Sequence, residues 1–144
     1  MTLVDVNILV YVTNTDTIHH ERVRIWWESL LASGETVLIP FVVLAGYVRV
    51  TTNHRTMSRP ATIDEALGYV HEWLSLPQVR GVSEPSNWLT LFAQQLTQVG
   101  EGGNLVTDAH LAAIAIGNGA KLASCDSDFA RFSKLRWVNP LAPQ

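Results

Sequence analysis

Leu3-Val4-Asp5-Val6-Asn7-Ile8-Leu9-Val10 decides the reading of this chain. Leu3 to Val6 has the apolar, β-branched character of a first strand, and Ile8 to Val12 continues it as strand or as a following helix. Asp5 stands in the middle of this apolar run. A carboxylate there is costly unless it meets a cation or several donors. If the stretch is a strand, alternation puts Leu3, Asp5 and Asn7 on one face. Asp5 is therefore either a strand-end acid tied down by backbone N–H groups or a functional acid.

The rest of the chain alternates in the same way. Helices are expected over Ile18–Ala32, Phe41–Val50, Ile63–Leu76, Pro85–Val99 and Val106–Gly117. Thr62 reads as an N-cap, with Asp64 and Glu65 in the first turn where the helix dipole favours acids. Short strands are expected over Thr36–Ile39, Val79–Val82, Ala120–Ser124 and Arg136–Val138, with a helical turn over Asp126–Phe132. This alternation predicts an α/β fold with a central, mainly parallel sheet flanked by helices. The 144 residues are expected to form one domain. Trp26 and Trp27 would point about 100° apart on their helix and cannot easily face the same core, so either both are partly buried in it or one forms part of a partner surface.

Composition excludes several classes. No apolar run is long enough to cross a bilayer, so no membrane partner is expected. Asp5 interrupts the early apolar stretch and no basic segment precedes it, which argues against a signal peptide. A single cysteine, Cys125, rules out an internal disulfide and a cysteine-rich zinc site, and fits a reducing cytoplasm. The net charge of −3 argues against indiscriminate nucleic-acid binding. Positive charge is nonetheless local: Thr36 to Ile63 holds Arg49, Arg55, Arg59 and His54 and no acid.

In open parallel sheets, ligands sit beyond the carboxyl ends of the strands. Asp5 follows the first strand, Asp108 opens the Ala-rich helix, and Asp126 and Asp128 follow the fourth strand. Each acid alone has an ordinary explanation as a cap or a first-turn acid. Together at one sheet edge they would repel unless a hard cation joined them, and Mg²⁺ prefers such oxygen ligands.

Asp5-Val-Asn, Val106-Thr107-Asp108-Ala109-His110-Leu111-Ala112-Ala113-Ile114-Ala115 and Ser124-Cys125-Asp126-Ser127-Asp128-Phe129 resemble the motifs of PIN-domain ribonuclease toxins of the VapC family. Leu44-Ala45-Gly46-Tyr47-Val48-Arg49-Val50-Thr51-Thr52-Asn53 and the closing Leu135-Arg136-Trp137-Val138-Asn139-Pro140-Leu141 resemble a branch abundant in mycobacteria. The resemblance implies a Mg²⁺-dependent endoribonuclease, with Mn²⁺ as a substitute. It implies an RNA substrate, a homodimer and a VapB-type antitoxin that threads into the active-site groove. By position, Asp5, Asp108 and Asp126 match the metal-binding acids, and Asp128 is a further catalytic acid. Asn7 and Thr107 would orient the carboxylates, and Arg49 would hold an RNA phosphate. One departure is Leu44, which takes the place where the family often carries a Glu. Leu44 is accordingly expected to face the acids from the side they leave open.

Two other readings compete. A PIN module that has lost catalysis could bind RNA or a partner, and Leu44 is its best support. An aspartate-nucleophile phosphotransferase would need a second acid where Asn7 stands, and Asn7 cannot protonate a leaving group.

Overall fold

The computed structural model describes residues 1–143. The first strand is shorter than the apolar run: β1 covers Thr2–Val4, and the chain turns at once into helix α1, Val6–Thr13. Asp5 therefore lies in no strand, and alternation does not relate it to Asn7. Asp5 is the N-cap of α1, accepting from the Val6 N–H at 2.7 Å. Ile8, Leu9 and Val10 are buried, so core surrounds more than half of that helix's circumference there.

Helix α2 (His20–Ala32) leads back to β2 (Val37–Pro40), which passes directly into α3 (Phe41–Thr51). Helix α2 starts two residues later than the apolar pattern suggests, because Ile18 is 92% exposed and has no core to join. Helix α4 (Ile63–Ser75) begins at the expected cap, with Thr62 Oγ1 accepting from the Glu65 N–H at 3.1 Å. It is followed by β3 (Val79–Val82), α5 (Trp88–Val99), α6 (Leu105–Gly117) and β4 (Lys121–Ala123). A 3₁₀ turn over Ser127–Arg131 and β5 (Trp137–Val138) complete the order.

The sheet runs β3-β2-β1-β4-β5, and all four pairings are parallel. Leu3 pairs with Leu38 on one side and with Leu122 on the other, and all three are essentially inaccessible. Chain order therefore departs in opposite directions from the β1–β4 pair. Such a switch point leaves a crevice at the carboxyl ends of the two strands. Asp5 lies just beyond β1, and Ser124, Cys125 and Asp126 just beyond β4.

The core beneath α1, α2, α3 and α4 holds the adjacent indoles apart. Trp27 is 4% exposed and meets Trp73 edge-on, and Tyr47 also meets Trp73 edge-on, with centroids 4.9 Å apart. Trp26 is only half-buried, beside Arg22, Ile25 and Pro140.

Candidate metal centre and groove

Four acids meet at the switch point by three different routes. Asp5 comes from the α1 cap, Asp108 from the first turn of α6, and Asp126 and Asp128 from the turn after β4. Carboxylate oxygens of Asp108, Asp126 and Asp128 lie within 4.8 Å of one another. Asp5 stands outside that trio but close enough for its charge to be felt at Asp108.

The hydrogen bonds around Asp5 are unusually complete. Its Oδ2 accepts from Ser124 Oγ at 2.7 Å and from Asn7 Nδ2 at 3.1 Å. Ser124 Oγ also accepts from Asn7 Nδ2 at 3.0 Å and from the Asp126 N–H at 3.1 Å. Asn7 Oδ1 accepts from the Cys125 N–H at 3.1 Å. One fully buried hydroxyl and one amide thus lock the start of α1 to the end of β4. Asp126 in turn caps the 3₁₀ turn, its Oδ1 accepting from the Asp128 N–H at 2.9 Å, which leaves its other oxygen open to the cluster.

The electrostatics of the cluster favour neutralisation. Burial pushes the Asp5 carboxyl above its usual range, against the hydrogen bonds from Ser124 and Val6, and the Asp126 charge pushes the same way. Asp108 is pushed up to about 6 by burial, then by the charges of Asp126, Asp5 and Asp128. Among the described residues no Lys or Arg lies within 4.0 Å of any of the four carboxylates. Clustered oxygen donors with no counter-charge fit a hard divalent cation. Burial and the Asp5 charge raise the Cys125 thiol to about 11, which disfavours its thiolate.

Beside Asp5 opens a groove of about 590 Å³ between α3, α5 and α6. Arg49 and Thr107 both line it. Arg49 has no ion-pair partner among the described residues. Thr107 is exposed and makes no side-chain hydrogen bond there, so the hydroxyl that orients an acid is Ser124. The signal for Ser124 in the sequence is a polar residue closing an apolar strand just before Asp126.

The expectation for Leu44 is overturned. Leu44 is 6% exposed within the core and does not line the groove. With about 3.6 residues per turn, Val42, Val43, Ala45, Gly46 and Arg49 line the groove from α3, while Leu44, Tyr47 and Thr51 are buried and do not. The α3 residue packed on α1 beside Asp5 is Gly46, where an added Cβ would come within 3.0 Å of Val6 Cγ2. A leucine at position 44 therefore takes nothing from the acidic cluster; the α3 residue on the Asp5 side is Gly46, which offers no ligand atom.

Residues 2–135 match the PIN domain family. Ribonuclease VapC37 of Mycobacterium tuberculosis is 38% identical over 142 residues, covering 99% of each chain. Ribonuclease VapC43 of the same species is 38% identical over 144 residues, covering all of this chain and 98% of the relative. This chain belongs to the PIN-domain VapC family. Solved PIN-domain structures share the fold. VapBC2 from Rickettsia felis, bound to a promoter DNA fragment, aligns with a TM-score of 0.71 at 22% identity, over 96% of this chain and 97% of that one. VapC20 of M. tuberculosis, a sarcin–ricin-loop-cleaving toxin, aligns with a TM-score of 0.68 at 18% identity, over 94% and 99%.

Within this PIN domain, Ser124→Ala is expected to be felt twice. Asp5 loses a donor, and the half-buried Asn7 amide and the Asp126 N–H lose an acceptor. Stability should fall by about 1–3 kcal/mol, and the Asp5 carboxyl should rise further. Chemical denaturation measures the first effect. A metal titration followed by thermal melting measures the second, as weaker Mg²⁺ stabilisation than in wild type; an unchanged metal response would detach Ser124 from the site.

Proposed function

We propose that this chain is a divalent-metal-dependent endoribonuclease, the toxin of a VapBC-type toxin–antitoxin pair acting in the cytoplasm. Its substrate is RNA, its inhibitor a VapB-type antitoxin, and its working form a homodimer. The observation that carries this reading is the uncompensated carboxylate cluster at the sheet's switch point, in a chain alike end to end with ribonucleases.

Asp5, Asp108 and Asp126 would hold Mg²⁺, or Mn²⁺ in its place. The bound ion would supply Lewis acidity and lower the pKa of an attacking water. Asn7 and Ser124, both donating to Oδ2, fix the orientation of the Asp5 carboxylate. Asp128 is exposed, and no side chain or backbone N–H donates to its carboxylate among the described residues, so it is free to accept the proton of the attacking water. Arg49, unpaired in the adjoining groove, would hold an RNA phosphate and align the strand.

The test is cleavage of a defined RNA by protein freed of its antitoxin. Cutting is expected with Mg²⁺ or Mn²⁺ and none with EDTA. RNA bound but uncut under all metal conditions would instead mark a binding module. For Arg49→Ala, RNA affinity in Ca²⁺ should drop and its dependence on salt become shallower by about one phosphate contact. Identical affinity and identical salt slope would remove Arg49 from the substrate path.

A further inference from the structure

The groove beside Asp5 has a feature that phosphate binding does not use. One wall is aromatic. Trp88 and Phe92, one turn apart on α5, stack with ring centroids 4.7 Å apart and planes 21° apart. His110, from α6, lies 5.0 Å from Trp88, and its Nε2 is held at 2.9 Å by Glu84. All three rings line the same groove as Asp5 and Arg49. Trp88 and Phe92 are only half-buried, so the wall is partly open to solvent. Trp88 Nε1 is buried and has no hydrogen-bond partner among the described residues, so apolar packing, not a polar contact, sets the indole's position.

We propose that Trp88, Phe92 and His110 form a nucleobase-stacking subsite, which takes the base of a nucleotide next to the scissile phosphate. This rests on the ribonuclease reading and deepens it. The occupant is argued from what surrounds the wall. A groove of about 590 Å³ is in the range of small-ligand sites. It has a free guanidinium and reaches Asp5, one of the carboxylates that would hold the metal. A single-stranded RNA offers the matching set: a phosphate for the metal, another for Arg49, and a flat π-face between them. Aromatic side chains bind single strands in this way, through stacking that tolerates sequence because every base has such a face. Thr107, whose hydroxyl is free at the groove edge, gives the subsite one polar group able to prefer one base edge over another. The wall would therefore help to set which nucleotide stands beside the cut.

The subsite can be read without knowing the natural RNA. In Ca²⁺, binding of rA, rU, rG and rC decamers is compared with binding of a decamer of the same length lacking all bases, while cleavage of the four homopolymers is followed in Mg²⁺. The wild-type protein should bind at least one base-bearing decamer about 10-fold or more tightly than the abasic one, the value of one base–aromatic stack. Trp88→Leu should abolish that difference without changing abasic binding, and Trp88→Phe should restore most of it. Equal wild-type affinity for base-bearing and abasic decamers would overturn the proposal, and needs no variant to fold. So would a Trp88→Leu protein that keeps the full base preference but no longer copurifies with its antitoxin, since the wall would then be a protein-docking surface. In both of those outcomes continued cleavage in Mg²⁺ leaves the ribonuclease reading standing. Absence of both binding and cleavage would end both.

Discussion

Asp108→Asn is expected to reduce RNA cleavage by about 10³-fold or more, while making the metal-free protein more stable. The first effect follows from removing an oxygen ligand whose charge supports several kcal/mol of transition-state stabilisation. The second follows from the cluster itself. In the folded protein the Asp108 carboxyl titrates near 6 instead of 3.8, because burial and three neighbouring aspartates disfavour its charge. Between those two values the folded state holds more proton than the unfolded chain, so stability falls as pH rises through the window. The penalty is fully present above pH 6 and gone below 3.8. Asparagine removes it, and after allowance for solvent screening of a half-buried group the gain at pH 7 is about 1 kcal/mol. Thermal melts of both proteins without metal should separate above pH 6 and converge near pH 4. Adding Mg²⁺ at pH 7 should stabilise wild type more than the variant. Because the ion needs a deprotonated Asp108, wild-type metal affinity should drop below about pH 6. A variant no more stable than wild type at pH 7 would mean that the four carboxylates do not repel one another in the folded protein.

Leu44→Glu is expected to destabilise the protein by about 3–5 kcal/mol, enough to consume much of a domain's total stability. Leu44 packs in the core with no cation near it, so the new carboxylate would be buried without a partner. Because the side chain points away from the groove side of α3, Mg²⁺ should not recover the loss beyond the gain wild type itself shows. Gly46→Glu is the informative contrast. It also strains the α1–α3 contact through Val6, but it adds its carboxylate on the side of α3 where Asp5 lies. Its stability should respond to Mg²⁺ more steeply than that of wild type. Thermal melts of the three proteins across a Mg²⁺ titration read both expectations. A strongly metal-dependent recovery of Leu44→Glu would place residue 44 at the metal after all.

The α/β class, the parallel sheet and most element positions were legible in the amino-acid order, because apolar periodicity and cap residues act locally. Thr62 is one such signal, and its side chain caps α4 as the pattern implies. The candidate acids were legible too, since a carboxylate inside Leu3–Val10 or directly after a strand has few inexpensive explanations. What local pattern could not settle was where a strand stops and which way a helix faces. Asp5 looked like a strand residue because apolar β-branched residues flank it, yet its own side chain caps α1 and ends the strand at Val4. Leu44 and Gly46 are two residues apart in a helix with no charged residue from Phe41 to Val48, so hydrophobicity gives little phase there, and packing against α1 and the sheet turns Leu44 inward and Gly46 toward Asp5. The pairing of Ser124 with Asp5, and the meeting of Trp88 and Phe92 with His110, join residues distant in sequence. Such contacts exist only once β1 and β4 are neighbours and α5 lies on α6. The residue types able to bind a metal were thus written in the chain, whereas the hydroxyl that steadies them and the groove beside them came from tertiary packing, which no local propensity encodes.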